Sequence, residues 1–134
     1  MLKLILARHA KPESYHLYED PREVPLTIEG RAKQKETCLQ LEKAGYTPEI
    51  LYTSPLLRAL QTAEIIATHF GISPTPLPAL GDIPSLEKIL DIFPTQEATL
   101  CLVGHEPTLP QLARALTGDP ALLPSGIKKS ACAI

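Results

Sequence analysis

Aliphatic residues fall in short blocks along this chain, and each block is cut off by a polar or cationic side chain. Leu2 to Ala7 is a run of this kind, short, apolar and followed at once by Arg8-His9. It reads as a buried strand; the periodicity alone also fits a buried helix segment, but the run is short for a helix. Ile50 to Thr53 and Thr99 to Val103 are blocks of the same type. Ser73 to Pro78 carries three prolines and can serve only as an edge strand. Ser130 to Ile134 reads as the start of one more strand, cut short by the last residue, with Ser125 to Lys129 as the loop before it.

Between the blocks the apolar spacing turns helical. Thr27 can cap a helix that runs to Ala44, with Ile28, Ala32, Leu39 and also Cys38 and Leu41 giving a ragged apolar face, and with Gly45 as its stop. Gly30 in its first turn is unfavourable in a helix, which points to close packing there. Ser54 as N-cap and Pro55 at the first helical position begin a second helix, with a stripe of Leu56, Leu60, Ala63, Ile66 or Ala67, and Phe70, closed by Gly71. Pro84 to Phe93 is a short helix with Leu86, Ile89, Leu90 and Phe93 inward. Pro107 to Thr117 is another, with Leu109, Leu112, Ala113 and Leu116 on one face and Gly118 at its end. Pro107 and Pro110 are tolerable because the first N–H groups of a helix have no partner within it. Strands alternating with helices predict an α/β fold, a three-layer αβα sandwich with a mostly parallel central sheet, formed as one domain over residues 1–134. Ala10 to Pro25 is expected as a long surface loop, and a loop of that length is often functional.

Composition narrows the partners. Net charge is −2 and there is no basic run to follow a phosphate backbone, so no nucleic-acid binding is expected. Six aromatics and no Trp offer no base-stacking platform. The apolar run at the start is too short for a signal-peptide core, and no run approaches a membrane span. Cys38, Cys101 and Cys132 stand far apart in apolar surroundings and read as buried thiols of a reducing compartment, so a cytoplasmic location is expected. The four histidines lack metal-ligand spacing, and neither a metal nor a cofactor is expected.

The chemistry lies where the strands stop. The first gives Arg8-His9, the second Ser54-Pro55 and then Arg58, the third Gly104-His105. In a parallel sheet these ends share one edge, the edge at which open α/β sheets bind ligands. Two of them lead into helix N-termini, whose N–H groups favour anions. Arg forks fit phosphate oxygens bidentately. Taken alone, Arg8-His9 is an ordinary polar loop after a strand. The threefold coincidence points instead to a site for a phosphoryl dianion, with His9 as nucleophile toward phosphorus.

Three ordered segments carry a resemblance. Leu6-Ala7-Arg8-His9-Ala10 resembles the Arg-His-Gly motif of the histidine phosphatase (phosphoglycerate-mutase-like) superfamily. Thr53-Ser54-Pro55-Leu56-Leu57-Arg58-Ala59-Leu60-Gln61-Thr62-Ala63 resembles its second signature, and Val103-Gly104-His105-Glu106-Pro107 its third. Pro25-Leu26-Thr27 with Gly30 is similar to the segment between the first two. The short length and the run Gly104-His105-Glu106-Pro107-Thr108-Leu109 are most similar to small bacterial phosphohistidine phosphatases of the SixA type. The resemblance implies that His9 is the nucleophile and becomes transiently phosphorylated. It implies that Arg8, Arg58 and His105 bind and neutralise the phosphoryl group, as a reaction driven by positioning and electrostatics requires. His105 would help most when protonated, which a bound dianion favours.

Two departures matter. Ala10 replaces the usual Gly, which is tolerable where φ is negative. Larger members of the superfamily carry a carboxylic acid that protonates the leaving group. Here the neighbourhood reads Leu80-Gly81-Asp82-Ile83-Pro84-Ser85, and Asp82 is the nearest possible proton donor, or simply a turn residue. An alkoxide needs such a proton, whereas the imidazole of a phosphohistidine, with a pKa near ~6.5, can leave already protonated. The gap therefore favours a phosphoramidate over a sugar phosphate and also suits activated phosphates; the expected substrate is phosphohistidine on a partner protein. A small phosphate ester, with Asp82 as acid, is the alternative, and a non-catalytic phosphate-binding module is a weaker one. His16 and His69 read as a solvated loop residue and a helix C-terminal cation. Lys11 and Ser14 read as exposed loop residues near the pocket mouth, and Glu106 as a cap or solvent-facing residue. Lys128-Lys129 is too short for a nucleic-acid patch.

Overall fold

The computed structural model describes residues 3–119 and 121, together with the backbone of 132–133. Leu2, the Ser125 to Lys129 loop and most of the expected last strand fall outside these residues, as does the side chain of Cys132. The elements run β1 (Lys3–Arg8), α1 (Ile28–Lys43), β2 (Ile50–Thr53), α2 (Leu57–Phe70), β3 (Pro74–Pro76), α3 (Leu86–Asp91), β4 (Thr99–Gly104), α4 (Thr108–Thr117) and β5 (Cys132–Ala133). The sheet order is β3-β2-β4-β1-β5, parallel throughout except for β5, which pairs antiparallel with β1. The proline-rich β3 sits at one edge, where a strand lacking N–H donors is admissible.

Strand alternation sorts the core into two layers. Ile5, Ala7, Leu51, Cys101 and Val103 point to one face and meet Cys38 of α1 with Ala59, Ala63, Ile66 and Ala67 of α2. Leu6, Leu100 and Leu102 point to the other, with Leu4, Ile50 and Tyr52 partly buried beside them. There they meet Ile89 of α3 and Leu109, Leu112 and Ala113 of α4. Burying each large aliphatic side chain contributes about 1.5–3 kcal/mol. The three-layer α/β arrangement expected from the pattern is the one observed.

Helix details correct the sequence reading. The buried face of α1 is Gly30, Gln34, Thr37, Cys38 and Leu41, a helical spacing written mostly in polar or small residues. Ile28 and Leu39 are exposed at 87% and 51%, and Ala32 is exposed too. Leu90 and Leu116 also face solvent. Thr27 caps α1 as expected, its hydroxyl accepting from the Gly30 N–H at 2.9 Å. The packing foreseen at Gly30 is with backbone: a Cβ there would lie 2.6 Å from the Lys11 carbonyl oxygen. The Ala10 to Pro25 loop has structure of its own, short 3-10 turns at Tyr15–Leu17 and Pro21–Glu23 and a bridge from Pro12 to Leu26.

Candidate active site

Sheet register brings the strand ends level. Arg8 of β1 lies opposite Gly104 of β4, and Thr53 of β2 opposite Val103. The next residues continue the ladder, with the His9 N–H donating to the Gly104 carbonyl (3.1 Å) and the Ser54 N–H to the Val103 carbonyl (2.9 Å). His9, Ser54 and His105 thus leave the sheet side by side at its carboxyl edge. Arg58 arrives from the first turn of α2.

His9 is 4% exposed, and its Nδ1 lies 2.8 Å from the Ala10 carbonyl oxygen. A carbonyl only accepts, so Nδ1 carries a proton, and in the neutral ring Nε2 then keeps its lone pair, the tautomer a nucleophilic imidazole requires. The His105 ring stands 5.0 Å from that of His9, centroid to centroid, at an angle of 51°. Its Nε2 is 2.7 Å from the Ser54 hydroxyl, and its Nδ1 is buried without a hydrogen-bond partner. Burial, and then the charges of His9, Arg58 and Arg8, push the His105 pKa down to about 3. In the ligand-free site His105 is therefore neutral, and the cation expected there needs an anion to be present. That same set of influences places Arg8, Arg58 and His9 around one imidazole.

The loop after β1 holds Arg58. Arg58 Nη1 donates to the Pro21 carbonyl at 2.8 Å, and the guanidinium carbon lies 5.2 Å from the centre of the Tyr15 ring. Arg58 Nε is buried and makes no hydrogen bond, so a donor remains for an oxyanion. The sequence reading gave Tyr15 and Pro21 no role. Thr62 is a second omission. Its hydroxyl donates to the Arg58 carbonyl (2.7 Å) and accepts from the Ala10 N–H (3.0 Å), tying α2 to the residue that orients His9. The i, i+4 spacing of Arg58 and Thr62 was the available signal. Gln61 does similar work, accepting from the Leu26 N–H at 2.8 Å. Among the described glycines, positive φ angles fall on Gly45, Gly71 and Gly118; Ala10 is buried.

Ser54 needs a correction. It does not cap α2, which starts at Leu57 with Leu56 as N-cap. The Ser54 hydroxyl is instead taken by the Leu56 N–H (3.2 Å) and by His105. The start of α4 likewise moves by one residue, from Pro107 to Thr108.

The remaining candidates lie outside the cluster. Asp82 is exposed, in the segment whose Gly81 packs on Pro55, and it acts electrostatically on Arg22. His16 is exposed in the loop. His69 lies in the last turn of α2, as expected, and also pairs with Glu42 of α1 at 2.8 Å. Lys11 pairs with Glu29 at 3.4 Å. Among the described residues no group of three His, Cys, Asp or Glu side chains is placed to hold a metal ion, and no helix is long and apolar enough to cross a membrane.

Residues 4–85 match the family model of the histidine phosphatase superfamily, branch 1. An uncharacterized protein of Picosynechococcus is 35% identical over 120 residues, 86% of this chain and 73% of that relative. A 2,3-bisphosphoglycerate-dependent phosphoglycerate mutase 2 of Lactobacillus johnsonii is 39% identical over 70 residues, half of this chain but only 31% of the mutase. The crystal structure of an Agrobacterium tumefaciens protein assigned as the phosphohistidine phosphatase SixA superposes with a TM-score of 0.82 at 26% identity, covering 97% of this chain and 88% of that one.

Proposed function

The chain belongs to the histidine phosphatase superfamily, and on that premise we propose that it is a cytoplasmic phosphatase that dephosphorylates phosphohistidine on a partner protein through a phosphorylated His9. The observation that carries this reading is the His9 Nδ1 contact to the Ala10 carbonyl, which makes Nδ1 a donor and leaves Nε2 as the attacking nitrogen of the neutral ring, in the cluster with Arg8, Arg58 and His105. In the first step His9 Nε2 forms a bond to phosphorus while the bond from phosphorus to the substrate imidazole breaks. That imidazole leaves protonated, so the lack of an enzyme acid does not stall the step. In the second step water displaces His9 and inorganic phosphate departs. Arg8, Arg58 and His105 hold the oxygens in both. The likeness to the SixA structure supports a phosphohistidine substrate. Buried thiols at Cys38 and Cys101 support a reducing compartment.

The test is phosphate release from a phosphohistidine-bearing protein domain, with His9→Ala as control. Release that survives in His9→Ala contradicts the mechanism. A second reading, hydrolysis of a small phosphate ester with Asp82 as acid, draws on the mutase relative and on the packing of Gly81 against Pro55 beside the site. Ester hydrolysis lost in Asp82→Asn while phosphoramidate hydrolysis is spared supports that second reading.

A further inference from the structure

Ser54 is fully buried, and its hydroxyl has two neighbours. The Leu56 N–H can only donate, so Ser54 Oγ accepts from it at 3.2 Å. The other neighbour, His105 Nε2, lies at 2.7 Å. A buried O–H without an acceptor costs about 1–3 kcal/mol or more, and Nε2 is the acceptor within reach. With Nε2 accepting, the single proton of a neutral His105 ring sits on Nδ1. That atom is buried and has no hydrogen-bond partner, although buried polar atoms are nearly always paired.

We propose that Ser54 is a positioning residue that fixes His105 as the Nδ1–H tautomer, so that the neutral ring presents a ready donor to the phosphoryl oxygens. The hydroxyl also suits the other charge state. When a dianion enters and His105 takes a proton from solvent on Nε2, the Ser54 oxygen accepts from Nε2–H through its second lone pair, and its own O–H gives up Nε2 as acceptor, a cost set against the charge gained beside the dianion. The ring thus gains charge without losing its partner or its orientation. His9 is held in the same tautomer by a carbonyl, which has no such reversibility. One imidazole is built to stay a nucleophile and the other to change charge. The inference rests on His105 as a phosphoryl ligand.

Long-range ¹H–¹⁵N NMR of the full chain, with His105 assigned through His105→Asn, reads the tautomer directly and needs no substrate. In the wild type we expect Nδ1 protonated and Nε2 bare, and in Ser54→Ala a population of the Nε2–H form. Turnover in Ser54→Ala should fall roughly 10–100-fold, as when a partner that orients a ligating imidazole is removed, and Ser54→Thr, which keeps the hydroxyl, should restore much of it. An Nε2–H tautomer in the wild type overturns the proposal, as does an unchanged tautomer in a folded Ser54→Ala. Should Ser54→Ala fail to fold, the wild-type spectrum still decides. A chain without phosphatase activity would still show the tautomer, so failure of the functional reading and failure of this inference are distinguishable.

Discussion

The rings of His9 and His105 are 5.0 Å apart, close enough that a charge on one opposes a charge on the other. Arg8 and Arg58 add two permanent cations to the same cluster. Without an anion, such a site keeps His105 neutral; with a dianion, the balance reverses.

The first prediction follows from this sign. The His105 pKa is lowered to about 3 by burial and by its cationic neighbours, against about 6.5 in the unfolded chain. Between those values the unfolded state binds a proton that the folded state does not. Stability is thus fully present above about 6.5 and falls as pH drops toward 3, by at most about 1.4 kcal/mol per pH unit from this group. Urea denaturation between pH 7 and 4 should show a steeper loss in wild type than in His105→Asn. Tungstate or phosphate should raise the NMR titration of His105. A free-protein midpoint near the ordinary value contradicts the account.

The Tyr15 ring over Arg58 gives the second. An exposed cation–π contact is worth about 0.5–1 kcal/mol, so Tyr15→Ala should weaken inhibition by inorganic phosphate about two- to fivefold. Tyr15→Phe, which keeps the ring, should behave like the wild type. Competitive inhibition constants measure both.

Thr62 gives the third. Thr62→Val keeps the shape but leaves the buried Ala10 N–H without its acceptor, at a cost of about 1–3 kcal/mol. Because the neighbouring Ala10 carbonyl orients His9, turnover should fall together with stability. Thr62→Ser should recover both in denaturation and rate measurements.

The fourth concerns the frame alone. In Gly30→Ala the new methyl group would sit 2.6 Å from the Lys11 oxygen and 2.9 Å from the Lys11 nitrogen, both backbone atoms. Overpacking of this kind costs about 1–3 kcal/mol, and the urea midpoint should drop accordingly.

The strands and the strand ends were legible because aliphatic blocks ending in Arg8-His9 or Gly104-His105 have few other solutions. The buried face of α1 was not, because Gln34 and Thr37 occupy core positions while Ile28 and Leu39 face water. Hydrophobicity therefore pointed at the wrong side of the helix. Ser54 followed the N-cap pattern, but its hydroxyl serves His105, a partner 51 residues away that no local rule reveals. Tyr15 and Pro21 reach Arg58 across a loop whose course the sequence pattern leaves open. The side chains assigned to the site could be read from composition at the strand ends. The residues that orient them depend on tertiary contact.

The most direct measurement is capture of the intermediate. Brief exposure of the chain to a ³²P-phosphohistidine donor, followed by quenching in alkali and peptide mapping, should show acid-labile, alkali-stable label on His9 and none in His9→Ala. Phosphate released at an undiminished rate by His9→Ala, or label carried by another residue, would contradict the central claim.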